Sequence, residues 1–399
     1  MSTVTFWVRP AEALYFGPPR SFFAGEAHHS SSLFPPPPMA FQGMVRTRLL
    51  RAVEPPLDLA DRSPEARARI ANLVGEPDKL PPGWQLEGPL PVVLDHEGAL
   101  VPWLPAPAFL LGHHNPEPVC EEPVAALEEP LAFDDAAPEG RKVWIGAPQA
   151  EHSEPLGGWV SAGNLRWALS KQGRWDPNGF HPALPPFVRY EIRPGLVVMR
   201  QSGTAKDQML YFLRMLHFRP DSGLLGRLTV DGECRVPLNA LTHGAGAAGR
   251  KGRLVTYHPA PRLHDDWVAL RQGSHLPEKV EDGAGCWIVS LGPCEPEAEP
   301  LLREQAPGFT LRVLARRLAP PVTLGGLRVD GTQRPARTYA GGGSAFFVEI
   351  QGGTPEARAE LLKRLHGACV LAQGAARAFG FGQVLCGVPL PLFRSPSHA

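Results

Sequence analysis

The chain has 399 residues, 43% of them hydrophobic, and its 40 basic and 40 acidic side chains cancel to a formal net charge of zero. That length predicts two or three domains with sizeable cores, and the hydrophobic fraction excludes a disordered chain in spite of 46 prolines and 42 glycines. Neutrality excludes a global field pulling the protein towards nucleic acid, so any RNA binding must rest on locally gathered cations.

Thr3 to Arg9 alternates like a strand, and Pro10 to Ser32 is rich in turn residues. Four prolines, Pro35 to Pro38, hold the next stretch extended, and a helix is expected to begin near Pro38, where proline is still tolerated. Phe41, Val45, Leu49 and Ala52 then line one face; Arg46 and Arg51 fall off it. Arg48 either lays its stem along apolar surface or meets an anionic partner. Ser63 is placed to cap a second helix that opens with Pro64 and Glu65. Residues from about 77 to 155 are dominated by proline, with short strand candidates at 91–95 and 142–145, and read as an insertion. Within it, 117–139 carries acidic groups and no basic ones, which is usually a solvated loop. Ser161 caps a helix bearing Leu165 and Leu169. Strands are expected at 187–193, 196–201, 208–218, 226–230 and 253–258. The second half repeats the plan: strand 286–291, helix 298–305, strands 309–315 and 344–350, a helix 355–366 capped by Thr354, and a last strand 383–388. The order fits β-α-β-β-α-β, the ferredoxin-like unit, whose open sheet is the platform of RRM-type RNA binders.

Six scattered cysteines show no CxxC pair and no zinc-ligand spacing, no run reaches membrane-spanning length, and no signal peptide is evident. A cytoplasmic protein without a membrane segment, metal or cofactor is expected. Gly244, Gly246 and Gly249 match GxGxxG letter for letter, yet the segment precedes a strand where a dinucleotide site would follow one. Arg250, Lys251 and Arg253 follow at once, so the segment reads either as a mobile loop or as a loop whose backbone approaches phosphates held by these cations. Gly380 and Gly382 form the corresponding loop near the C-terminus. His28 and His29 are adjacent and make a poor chelate, though one histidine could act as a general base towards a 2′-hydroxyl. Trp159, Trp167 and Trp175 among Arg166, Lys171 and Arg174 either belong to the core or stack bases, with the core reading favoured.

The stretch AGEAHHSSSLFPPPPMAFQGMVRTRLL resembles the first-helix signature of the third subunit of the Cmr-type (type III-B) CRISPR effector complex, a member of the RAMP superfamily. Val45 stands where the family pattern has leucine, and the glutamate of the family's Gly-Gly-Glu-Gly-Arg loop is missing before Arg250. The resemblance implies an α+β protein of tandem ferredoxin-like (RRM-like) domains, 1–260 with a proline-rich insertion at about 55–185, and 261–399. It implies a non-catalytic RNA-binding subunit that caps the 5′ repeat-derived tag of a CRISPR RNA. The large polymerase/cyclase-type subunit and a backbone RAMP subunit would be its partners, and target RNA would be met indirectly. The residues expected on the RNA surface are Arg20, His29, Arg46, Arg166, Arg250, Lys251 and Arg253. The alternative is a metal-independent endoribonuclease using His28 or His29.

Overall fold

A computed structural model describes residues 1–18, 29–61, 63–77, 79–113, 133–134, 142–143, 153–170, 172–198, 204–327 and 333–390. The protein is α+β, with mostly antiparallel sheets and a few short helices. Its Cα packing forms two compact units: residues 1–100, 186–262 and 323–338 make the first, and 101–185, 263–322 and 339–399 the second.

In unit 1, β1 (Ser2–Pro10) is the strand expected from its alternation. A short strand β2 (His29–Ser31) precedes α1 (Pro38–Leu50), which begins where the proline run ends. In α2 (Pro64–Val74) the Ser63 hydroxyl accepts from the Ala66 N–H at 3.2 Å, the expected cap. The sheet continues with β3 (Trp84–Leu94), β6 (Ser222–Val230), β7 (Ala245–Ala248) and β8 (Arg253–Pro259), in the spatial order β3-β6-β1-β8-β7. Numbering β1, β3, β6 and β8 by their place in the chain, the order is 2-3-1-4, and each neighbouring pair is antiparallel. The helices α1 and α2 lie between β1 and β3, whereas a 3-10 turn, Leu238–Leu241, stands between β6 and β8. A separate hairpin, β4 (Val188–Val198) with β5 (Ala205–Phe218), takes β2 alongside β5 in parallel.

The proline-rich stretch departs from the expectation of an insertion with only short strands at 91–95 and 142–145. Trp84–Leu94 pairs with β6 from Trp84↔Val230 to Val93↔Ser222. Pro89 is accommodated because the register shifts between Leu225 and Arg227, whose partners are Leu90 and Glu87, and a bulge is where a sheet tolerates proline. Residues 117–132 and 135–139 of the acidic run lie outside the described residues, as do Arg20 and His28.

In unit 2, α3 (Ala162–Ser170) follows Ser161, whose Oγ accepts from the Asn164 N–H at 3.4 Å. The unexpected α4 (Asp265–Gln272) comes next. Then come β9 (Ala284–Ser290), α5 (Ala298–Glu304), β10 (Thr310–Leu327), β11 (Gln333–Gln351) and α6 (Pro355–Leu365), and an unexpected short helix α7 (Gly374–Ala378) precedes β12 (Val384–Cys386); α7 apart, the order is β-α-β-β-α-β. The sheet order β10-β11-β9-β12 is again 2-3-1-4. Leu302, Leu311, Phe346, Val348 and Leu362, all fully buried, lie in its core. Thr354 caps α6 through the Ala357 N–H at 3.2 Å. Strands β10 and β11 run well past the expected 309–315 and 344–350.

Candidate nucleic-acid interface

The candidate interface is built on α1. Its apolar stripe, Phe41, Val45 and Leu49, is buried, with the Phe41 ring stacked on Phe6 of β1 at 6.1 Å between centroids. The arginines beside that stripe are taken up by main-chain oxygens. Arg46, only 9% exposed, donates to the carbonyls of Gly75 and Pro77 and to Gln42 Oε1. Gly75 is the residue that ends α2, so Arg46 ties the last turn of α2 to α1. Arg48 donates through Nε to Ala240 O at 2.9 Å and through Nη2 to His243 O, with its guanidinium 6.0 Å from the Tyr257 ring. Of the two outcomes expected for Arg48, the structure shows packing with carbonyl partners.

These contacts leave a cleft of about 1040 Å³ within unit 1, between α1, α2 and the tip of the β7–β8 hairpin. Phe16, Met39, Met44 and Ile70 are among its walls, and Arg67 and Arg250 stand at its exposed rim. Asp61 also lines it; the N–H and hydroxyl of Ser63 hold that carboxyl below the ordinary carboxylate range.

The GxGxxG segment, expected to be a loop, is instead mostly strand. Residues 245–248 pair with β8 from Ala245↔Thr256 to Ala248↔Arg253, and the loop proper is the turn 249–252. The three glycines have packing reasons. A Cβ at Gly244 would lie 2.6 Å from Arg48 Nη2, one at Gly246 2.7 Å from the Tyr257 ring, and one at Gly249 2.6 Å from Tyr15 O. The turn is pinned: the Arg250 N–H donates to Tyr15 O at 2.8 Å, and Gly249, Lys251 and Gly252 all have positive φ near +60°. Arg253 is matched by Glu12 at 2.6 Å. The Leu254 N–H and then Arg253 hold the Glu12 carboxyl below its usual range, so the pair stays charged. Arg250 and Lys251 are exposed, and among the described residues no carboxylate meets either.

The remaining expected site residues are scattered. His29 is exposed on β2, its ring stacked on Phe212 at 5.1 Å and 14° between planes. Arg166 belongs to unit 2, where it pairs with Asp266 at 2.9 Å. In the same unit Trp159 and Trp175 are buried, as the core reading expects. Gly380 and Gly382 are buried there too: the Gly382 N–H donates to Pro293 O at 2.9 Å, and Phe381 packs on Tyr339. Of the expected residues that are described, Arg46, Gly249 and Arg250 line the cleft. Arg67, Gln42 and the two methionines, not anticipated, line it as well; the E-A-R-A-R run of α2 was the signal available for Arg67.

The sheet face opposite α1 offers little to a base. There β1 presents Thr3, Thr5 and Trp7 beside Thr229, Arg227 and Leu225, and Trp7, 6% exposed, lies against the half-buried His258 ring of β8 at 6.1 Å. A stacking platform needs open aromatic faces on the central strands. Among the described residues no group of histidine, cysteine, aspartate and glutamate side chains is arranged to hold a metal.

A family model described as CRISPR-associated protein (Cas_Cmr3) matches residues 6–389. No curated protein matches the chain. Among solved structures, a chain of the type III-B Cmr-beta complex bound to cognate target RNA and AMPPnP aligns with TM-score 0.44 at 11% identity over 86% of each chain. A chain of that complex bound to cognate target RNA aligns with TM-score 0.43 at 13% identity, again over 86% of each chain.

Proposed function

The chain belongs to the Cas_Cmr3 family of CRISPR-associated proteins, and from that premise we propose that it is a non-catalytic RNA-binding subunit of a type III-B effector ribonucleoprotein. It caps the 5′ repeat-derived tag of the CRISPR RNA, docks the large polymerase/cyclase-type subunit and a backbone RAMP subunit, and meets target RNA only through the guide. The two 2-3-1-4 sheets are read as tandem ferredoxin-like domains, 1–260 and 261–399. No helix among the described residues is long and apolar enough to cross a membrane, and a cytoplasmic location accords with the assembly.

The observation that carries the reading is the β7–β8 turn. Two cations that no described carboxylate meets, Arg250 and Lys251, project from a turn whose backbone is held to Tyr15, at the edge of a cleft that also exposes Arg67. A neutral protein that binds a polyanion needs such a local concentration, and fixed main chain lowers the ordering cost of the contact. The other cations nearby, Arg46, Arg48 and Arg253, build the support for that turn and cleft.

The test is binding of the full chain to labelled single-stranded RNA with and without the repeat-derived tag, across a salt series. Tag-dependent binding without cleavage is the expected result, and Arg250→Ala should reduce the log-log salt slope by about 0.7. Cleavage of the RNA would overturn the non-catalytic reading.

A further inference from the structure

The cleft has an order of polarity that phosphate binding alone leaves unexplained. Its exposed rim carries Arg67 and Arg250 together with the carboxylates Asp61 and Glu76, and Phe16, Met39, Met44 and Ile70 give it apolar, adaptable walls. At depth lies Gln42, 5% exposed. Gln42 Oε1 accepts from Arg46 Nη1 at 3.1 Å, and Arg46 is itself held by the carbonyls of Gly75 and Pro77. With the oxygen of a planar amide fixed towards a guanidinium, the NH2 group must turn the other way; the flipped amide would set donor against donor. Among the described residues nothing accepts a hydrogen bond from Gln42 Nε2, which opens onto the cleft, so a ligand acceptor there would gain a donor whose geometry is already fixed.

We propose that this cleft is a nucleobase pocket: it takes one unstacked base of the RNA strand whose phosphates the β7–β8 turn holds, with Gln42 Nε2 donating to a ring nitrogen or exocyclic carbonyl of that base. The proposal rests on the RNA-binding reading above and adds where a base, as distinct from a phosphate, is read. A nucleotide matches the cleft's order from outside inward, with anionic phosphate at the arginines, a flat polarisable ring between the methionines and Phe16, and an acceptor at the amide. A bare phosphate would leave the apolar walls unfilled. A peptide side chain long enough to reach Gln42 would have no use for the exposed arginines unless it were acidic, and then its charge would sit among apolar walls.

The test uses the full chain and a set of tagged RNAs in which each tag nucleotide in turn is made abasic. One position should lose affinity on the order of ten-fold, while the others change little. In Gln42→Leu, and separately in Ala68→Trp, which narrows the cleft from an exposed position of α2, the intact RNA should bind on the order of ten-fold more weakly. In both variants the abasic substitution at that position should cost nothing further. Thermal unfolding of both variants checks that the fold persists, and Ala68→Trp stands in if Gln42→Leu unfolds. Equal losses at every position, or a position effect that survives both variants, would overturn the pocket while leaving RNA binding intact. Saturable binding of AMP, GMP, CMP or UMP that does not compete with the RNA would also overturn it, in favour of a free nucleotide. If the unmodified RNA does not bind at all, the underlying function fails and the pocket with it.

Discussion

Arg46 and Arg48 stand two residues apart on α1 and give their donors to main-chain oxygens of different elements, Gly75 and Pro77 for one, Ala240 and His243 for the other. Arg46→Ala would strand those carbonyls in a buried site, and stability is expected to fall by roughly 2–3 kcal/mol. Thermal melts check this, and because the guanidinium already has partners, the salt slope of RNA binding should stay unchanged. In unit 2 His366 is a second residue with a backbone duty. Its Nδ1 accepts from the Cys386 N–H at 3.0 Å and its Nε2–H donates to Leu270 O at 2.6 Å, beside the ring of His275 at 5.3 Å. Burial pushes the His366 imidazolium pKa down to about 4. The unfolded chain, with an ordinary histidine near 6.5, binds the proton more readily, so stability is full above about pH 6.5 and declines as pH falls towards 4. Between pH 7.5 and 5 the loss should be about 2 kcal/mol in urea unfolding, and His366→Gln should flatten that dependence. Neither duty was legible beforehand, because a guanidinium or imidazole that serves a distant carbonyl leaves no local spacing to recognise.

The β7–β8 hairpin shows how an element escapes sequence reading. Ala245–Ala248 has poor strand propensity and becomes a strand because β8 offers an unpaired ladder, while Gly246 makes room for the Tyr257 ring. The GxGxxG spacing is therefore a record of what each glycine touches. Gly249→Val would force a β-branched residue into a positive φ and against Tyr15 O, moving the turn without altering charge. RNA affinity should drop several-fold with the salt slope retained, whereas Arg250→Ala should reduce both. Helix starts were legible, since Pro38, Ser63, Ser161 and Thr354 act through their own next turn. Strand β3 was legible only at its end, in the expected strand 91–95, because Pro89 and Pro91 mask a pairing that depends on a partner more than a hundred residues away.

At the scale of the molecule, zero net charge and a nucleic-acid role are compatible because most cations near the cleft are already matched by carbonyls or carboxylates, and few are left to face an anion. The repeating plan of the chain was legible in the order of its elements, and the same 2-3-1-4 strand order in both units is its counterpart in space. The candidate site was legible only in part: Arg250 and Lys251 follow a glycine run that draws the eye, but Gln42 and Met39 look like ordinary helix residues until α2 and the hairpin enclose them. The anchoring of the hairpin turn also bears on how the protein could be re-engineered. Glu12 and Tyr15 hold Arg253 and the Arg250 amide from the far end of the chain, so 244–253 is not a cassette. Transplanted alone into a related scaffold, those ten residues would arrive without the two contacts that set their geometry; the smallest graft that keeps its shape is the hairpin together with residues 12–15.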